Sequence, residues 1–212
     1  MILKEISGVT VDTFAMRGER LAFWINTYNA LVADGIAALG LRHSVWEVPD
    51  FFQRIGCRVG GLTFTADEIE HGVLRGNRPS PLSAAVPFAE GDARRACAIV
   101  PPDPRVHFAL NCGARSCPSV RTYDARRLEA QLDEVTRAFV NREAALQGDV
   151  LVLPEIFKWF RADFDEYPGG LDGFLSAYLD DGVVRRALRA GRLVGVAYRP
   201  WDWRLAAWTE RA

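Results

Sequence analysis

Three residues with reactive side chains lie close together in one short stretch of this sequence. His107, Cys112 and Cys117 follow an apolar run, and Gly113 and Pro118 flank the two cysteines. A thiol becomes a nucleophile only as the thiolate, and a nearby imidazole or a set of backbone N–H groups favours that form. The segment therefore predicts cysteine-nucleophile chemistry, with a metal site as the alternative.

The predicted local geometry favours Cys117 over Cys112 as the nucleophile, although both remain candidates. If residues 106–111 form a strand, His107 and Cys112 point to opposite faces of it. A sharp turn at Gly113 would then bring Cys117 back toward His107. Backbone N–H groups after this turn would stabilise a thiolate and later an oxyanion.

An imidazole that acts as a base needs a carboxylate on its second nitrogen to hold its orientation. Glu70 is the first candidate for this role and Asp103 is the second. His71, which follows Glu70 directly, is an alternative to His107 as the base. The competing interpretation of the whole segment is a core histidine with two inert cysteines.

Four polar residues are candidates for supporting or substrate-binding roles: Asn26, Asn29, Arg105 and Arg115. Asn26 and Asn29 are three residues apart on a predicted helix and so share a face. Buried amides must be hydrogen-bonded, and this face therefore supports a neighbouring loop or lines a cavity. Arg115 could lower a thiol pKa or bind a substrate carboxylate.

A zinc site would use the same atoms as the thiol site. His107, Cys112 and Cys117 are spaced His-x4-Cys-x4-Cys, and His71 could complete a set of four ligands. Structural zinc sites usually pair their ligands at tighter spacing, and no second close pair is present in the sequence. Zinc is therefore the less favoured alternative, and we expect neither a metal nor a cofactor.

Composition limits the possible partners and the location. The 212 residues carry a net charge of −1, which gives no general attraction to nucleic acid or to anionic membranes. No apolar run approaches the roughly 20 residues of a membrane span, and residues 1–5 lack the features of a secretion signal. We expect a cytoplasmic protein, or a secreted or periplasmic one if a leader has been lost.

The four cysteines are few and irregularly spaced, so reduced thiols are expected. A disulfide between Cys112 and Cys117 is the alternative, because a loop of four residues can close, often with strain.

Hydrophobic periodicity and turn residues predict a single α+β domain over residues 1–212, with a helix-rich first half packed on a small, mainly antiparallel sheet. Thr65 and Glu68 predict a capping box at the start of a short helix. The predicted helices are 19–39, 65–75, 128–139, 156–160, 171–179 and 183–190. The predicted strands are 57–59, 62–64, 97–100, 106–110, 150–153 and 193–198.

Four segments together resemble the domain-of-unknown-function family 547. They are residues 23–31, 69–75, 103–118 and 198–203, in that order, so that the resemblance extends over nearly the whole chain. It implies a papain-like or transglutaminase-like cysteine-peptidase relationship in which a glutamate, a histidine and a cysteine react. Carried onto this chain, the reacting set falls among Glu70, His71, His107, Cys112 and Cys117.

The resemblance and the residues together predict a cysteine-dependent hydrolase of small peptides or amides. The resemblance suggests glutathione-like thiol peptides as substrates. A non-catalytic interaction module, whose motif residues form a buried hydrogen-bonded core, is the alternative from a different functional class. The oligomeric state is not predicted.

Overall fold

The computed structural model describes residues 2–6, 8–10, 13–81 and 83–206. The α+β class is confirmed, with helices and two small mixed sheets. The described residues form two compact units. One lies within Met1–Asp103, Leu110–Leu128 and Asp202–Ala212, and the other within Pro104–Ala109 and Glu129–Trp201. A single domain over residues 1–212 stays a prediction.

The first unit contains one sheet and the longest predicted helix. Its elements are β1 (Ile2–Ile6), α1 (Arg17–Ala38), a 3-10 turn (Val45–Glu47), α2 (Phe51–Arg54), β2 (Ile55–Val59), β3 (Leu62–Thr65), a π-helix (Glu68–Leu74) and a second 3-10 turn (Ala93–Cys97). Strand β2 pairs in parallel with β1 and antiparallel with β3. The predicted long helix and the predicted strands 57–59 and 62–64 are confirmed.

Helix α1 is buried on most of its circumference. The Trp24 ring lies 4.8 Å from the Phe64 ring on β3. A Cβ atom at Gly35 would lie 2.6 Å from the Ile55 side chain, so the glycine allows α1 to approach β2 closely. Within the described ranges, neither α1 nor another helix is long and apolar enough to cross a membrane.

The capping box predicted at Thr65 and Glu68 is confirmed. The Glu68 N–H donates to Thr65 Oγ1 at 3.1 Å, and the Thr65 N–H donates to Glu68 Oε2 at 2.9 Å. The helix that follows, Glu68–Leu74, is wound as a π-helix rather than an α-helix. Short π-helical turns are rare and often lie at functional sites.

The second unit contains the other sheet and most of the remaining helices. Its elements are a 3-10 turn (Pro104–Phe108), α3 (Leu128–Glu143), β4 (Ala145–Gln147), β5 (Val150–Pro154), α4 (Ile156–Trp159), α5 (Arg161–Asp165), α6 (Gly170–Tyr178), α7 (Val183–Arg189) and β6 (Gly195–Arg199). Strand β5 pairs antiparallel with β4 and in parallel with β6. The helices and strands predicted between residues 128 and 198 are confirmed to within a few residues.

Phenylalanine side chains make the core of this second unit. The Phe108 ring lies 4.9 Å from the Phe139 ring and 5.6 Å from the Phe157 ring, and it is fully buried. Burial of a phenylalanine side chain stabilises a fold by about 1.5–3 kcal/mol. Phe108 therefore anchors the 3-10 turn that carries His107.

Two predictions about the sheets are wrong. Residues 97–100 and 106–110 are not strands. Both runs lie in or beside 3-10 turns. The prolines between the two runs lack the N–H that a ladder requires, and a short apolar run does not distinguish a strand from a buried turn. The single, mainly antiparallel sheet is also wrong, since the structure has two mixed sheets.

Candidate active site

The two cysteines of the motif lie on a loop, residues 111–118, that one side chain closes. Asn111 Nδ2 donates to the Pro118 carbonyl at 2.6 Å, and Asn111 Oδ1 accepts from the Gly113 N–H at 2.8 Å. The Asn111 backbone N–H donates to Asn29 Oδ1 on α1 at 2.8 Å. Asn111 is buried, so these bonds form away from water, where an unmade one is expensive.

Backbone hydrogen bonds tie the same loop to residues 202–206. The Arg115 N–H donates to the Arg204 carbonyl at 2.8 Å. The Asp202 N–H donates to Ser116 Oγ at 2.9 Å, and the Ser116 N–H returns a bond to the Asp202 carbonyl. The loop is therefore held in place by main-chain contacts that do not depend on its cysteines.

Cys112 and Cys117 form a disulfide, with their Cα atoms 6.5 Å apart. The prediction of four reduced thiols is therefore wrong for this pair, and the disulfide alternative is confirmed. The physical reason is the short loop closed by Asn111, which brings the two Cα atoms within bonding range. Both cysteines of the pair are half-buried, whereas Cys57 and Cys97 are buried and lie outside this disulfide.

Gly113 makes the turn that follows Cys112, as predicted. Its φ is +84°, a backbone conformation that residues other than glycine rarely adopt. A Cβ atom at this position would also lie 2.6 Å from Ile36 Cδ1. The backbone N–H of Cys112, just before this turn, donates to Cys117 Sγ at 3.2 Å.

His107 lies on the 3-10 turn Pro104–Phe108, not on the predicted strand. Its Nε2 is 2.9 Å from Asp163 Oδ2, and the two side chains are 1% and 2% exposed. The imidazole also stacks on the Phe160 ring, with centroids 4.0 Å apart and planes inclined by 17°. His107 is therefore held on one edge by a carboxylate and on one face by an aromatic ring.

Asp163 takes the position on the His107 ring that we predicted for Glu70 or Asp103. It lies 56 residues beyond His107, on the short helix α5, and no local pattern in the sequence links the two. The Glu70 carboxylate instead bonds the Tyr28 side chain. The pKa of Tyr28 is raised well above its usual value, first by burial and then by the charge of Glu70.

His71 is buried in a different setting, on the π-helix. Its Nδ1 lies 3.0 Å from Arg75 Nη1, and its Nε2 lies 3.7 Å from Asp67 Oδ1. A guanidinium only donates, so His71 Nδ1 is the acceptor of this bond. The same Nη1 donates to the Pro79 carbonyl at 2.7 Å.

Asn26 and Asn29 support neighbouring loops, as their shared face on α1 predicted. Asn26 Nδ2 donates to the Tyr123 carbonyl at 2.8 Å, and Asn26 Oδ1 accepts from the Tyr123 N–H at 2.9 Å. Asn29 holds Asn111, as described above. The sequence did not single out Asn111 itself, although a buried asparagine beside a glycine turn was a usable signal.

The two candidate arginines differ in their surroundings. Arg105 donates to Glu129 at 2.6 Å and to Asp133 at 2.8 Å, so its charge is balanced by two carboxylates. Arg115 is exposed, and it contributes its backbone N–H to the fixing of the cysteine loop. A role in substrate binding stays a prediction for both.

The described residues contain no cluster of side chains that could hold a metal ion. Across residues 2–6, 8–10, 13–81 and 83–206, no three His, Cys, Asp or Glu side chains are grouped so that they could hold one metal ion. The set considered for zinc, which is His71, His107, Cys112 and Cys117, is thus not assembled, and the two sulfurs are bonded to each other.

Comparison with known proteins identifies a family. The sequence model described as "Protein of unknown function, DUF547" matches residues 12–140, which is more than half of the chain. Neither the curated proteins nor the solved structures include a match. Asp163 and the resembling segment 198–203 lie beyond the matched residues. The match contains the cysteine loop and both buried histidines, and the chain belongs to the DUF547 family.

Proposed function

We propose that this protein is a cysteine-dependent hydrolase of small peptides or amides, with glutathione-like thiol peptides as its substrates. The Cys112–Cys117 disulfide is its oxidised, resting form. A dithiol reductant opens the disulfide and becomes a disulfide itself. A papain-like or transglutaminase-like relationship is part of the same proposal. The observation that carries the proposal is the loop 111–118, which the hydrogen bonds of Asn111 hold in place. In this loop the half-buried sulfur of Cys117 accepts a hydrogen bond from a backbone N–H.

Cys117 is the proposed nucleophile. Its sulfur accepts a hydrogen bond from the Cys112 N–H at 3.2 Å. A hydrogen bond to the charged form of a group favours that form, so this donor supports a thiolate at Cys117 once the disulfide is open. Cys112 is the partner of the Cys117 sulfur in the oxidised form, before the reductant opens the disulfide.

His107 is the proposed base, because its neighbour is a carboxylate. A ring that takes up a proton becomes a cation, and Asp163 at 2.9 Å stabilises that cation. His71 is less suited to the role. Its Nδ1 already accepts a bond from Arg75, so protonation there would break the bond and place two positive charges together.

The proposed reaction follows the scheme of cysteine hydrolases. The Cys117 thiolate attacks the substrate carbonyl carbon and forms a tetrahedral oxyanion. Protonated His107 gives its proton to the leaving amine as the C–N bond breaks, which leaves a thioester. Water then attacks the thioester, His107 takes the proton of the water, and the carboxylic acid and the thiolate are released.

The test uses the protein reduced with a phosphine, so that no added thiol competes. At neutral pH we expect iodoacetamide to label Cys117 at least about 10-fold faster than Cys57, as measured by mass spectrometry. Cys57 is the internal control, because burial raises its pKa to about 12. Equal and slow labelling of both cysteines would contradict the proposal.

Hydrolysis is measured in parallel as amine release from glutathione and from simple dipeptide amides. Cys117→Ser should abolish it, and oxidised protein should be inactive until reduced. His107→Asn should slow it by about 100-fold, whereas the matched variant His71→Asn should have a smaller effect. Activity that persists in Cys117→Ser would rule out this nucleophile.

A second candidate function is a non-catalytic interaction module. It is favoured by the observation that motif side chains make buried bonds inside the fold. His107 pairs with Asp163, and Asn29 Oδ1 accepts from the Asn111 backbone N–H. Under this alternative, Cys112→Ser and Cys117→Ser lower the melting temperature, and the wild-type protein hydrolyses none of the tested amides.

A further inference from the structure

The His107–Asp163 pair is built from two distant parts of the sequence. The two residues are 56 positions apart, and their side chains are 1% and 2% exposed. Asp163 lies beyond residues 12–140, which the family sequence model matches. A buried ionisable pair of this kind is expensive unless both groups are satisfied, so the contact is a specific one.

The chemistry of the two groups determines where the imidazole carries its proton. An ionised carboxylate only accepts hydrogen bonds, and Asp163 Oδ2 lies 2.9 Å from Nε2 of His107. The hydrogen of the neutral ring is therefore on Nε2, and the lone pair is on Nδ1. A second proton on the ring would therefore bind at Nδ1.

The same short segment also fixes the plane of the ring. Phe160, three residues before Asp163, stacks on the imidazole with centroids 4.0 Å apart. The Asp163 N–H donates to the Phe160 carbonyl at 2.9 Å, which couples the two contacts. One segment, residues 160–163, therefore supplies both the face and the edge that orient His107.

We propose that Asp163 is the positioning residue of this enzyme, which holds His107 in its Nε2–H tautomer so that Nδ1 serves as the base. The catalytic part of this inference rests on the proposed hydrolase function. The positioning part stands on the geometry of the pair alone. Asp163 acts through His107 and does not itself touch the substrate.

The first test is the ¹⁵N spectrum of the histidine-labelled wild-type protein at a pH where His107 is neutral. We expect His107 to show the Nε2–H tautomer, with a protonated Nε2 and an unprotonated Nδ1 signal. The Nδ1–H tautomer would overturn the proposal. This measurement needs no variant, so it decides the question even if substitutions at Asp163 do not fold.

The second test compares Asp163→Asn with Asp165→Asn. Asp165 lies on the same helix α5 but is exposed and paired with Arg161, so the matched substitution there should change nothing. We expect Asp163→Asn to admit the Nδ1–H tautomer and to lower kcat for amide hydrolysis by at least about 100-fold, with KM within about threefold of wild type.

The outcomes separate the two proposals. A wild-type tautomer in Asp163→Asn would overturn the positioning role, whatever the activity. If the tautomer changes as expected but the reduced wild-type protein hydrolyses no amide, the positioning role stands and the hydrolase function fails. A parallel fall in kcat with Asp165→Asn would show a structural effect of helix α5 and would count against a specific role of Asp163.

Discussion

His71 and His107 are both almost completely buried, at 6% and 3% exposure, but groups of opposite charge contact their rings. His71 accepts a hydrogen bond from the guanidinium of Arg75. His107 lies against the carboxylate of Asp163. The side chain within hydrogen-bond distance is therefore a guanidinium for His71 and a carboxylate for His107. Burial alone therefore does not distinguish the two histidines, whereas their hydrogen-bond partners do.

The largest expected effect is a loss in the free energy of unfolding when the imidazole of His107 or of His71 is removed. His107→Ala leaves the Asp163 carboxylate buried without the imidazole and opens a cavity beside Phe160. We expect a loss of about 3–5 kcal/mol in the free energy of unfolding. His71→Ala should lose less, about 1–3 kcal/mol, because it removes a neutral acceptor. Urea unfolding at pH 7 measures both, and an equal or reversed order would break the comparison.

A smaller effect is expected from the cation next to His71. Arg75→Met retains much of the side-chain volume but removes the bonds to His71 Nδ1 and to the Pro79 carbonyl. We expect a loss of about 1–3 kcal/mol, since both acceptors lose a buried donor. Arg75→Lys is the control and should lose less. A variant as stable as wild type would show that Arg75 does not determine the state of His71.

The smallest effect is expected from Asp67, the second neighbour of His71. Its folded-state pKa is raised above the ordinary value of 3.8, first by burial and then by the charge of Glu68. The folded protein therefore binds this proton more tightly than the unfolded chain does. The stabilisation is complete below pH 3.8 and is lost as the pH rises through the raised pKa.

Asp67→Asn should accordingly flatten the dependence of stability on pH over the range that begins at the ordinary pKa of 3.8 and extends upward through the raised pKa. Thermal unfolding across this range measures it, with wild type as the reference. If the variant lost as much stability at pH 7 as His107→Ala does, Asp67 would be as strong a partner as Asp163. The contrast between the two histidines would then fail.

The sequence predicted the elements whose causes are local. The long helix α1 follows from a run of apolar residues, and the capping box follows from Thr65 and Glu68, which are three residues apart. Asp163 could not be predicted as the partner of His107. Their contact depends on how α5 lies against the 3-10 turn Pro104–Phe108. No sequence pattern near either residue predicts that arrangement.

The candidate site was predicted in its residue types but not in its covalent state. The residues of the cysteine loop and the turn at Gly113 were identified from the sequence. The disulfide was the weaker alternative, because its formation depends on the bracing by Asn111, which spacing alone does not show. The strand predicted at 106–110 was wrong, because the adjacent prolines favour a turn.

The carboxamide of Asn111 ties the ends of the loop 111–118 by itself, so opening the disulfide does not release the two sulfurs from each other. We expect them to remain neighbours at a high effective concentration. When an external disulfide forms a mixed disulfide with one sulfur, the other sulfur can then displace the external thiol in an intramolecular step. We therefore expect the loop 111–118 to keep its shape when the disulfide is opened, because the hydrogen bonds of Asn111 do not involve either sulfur.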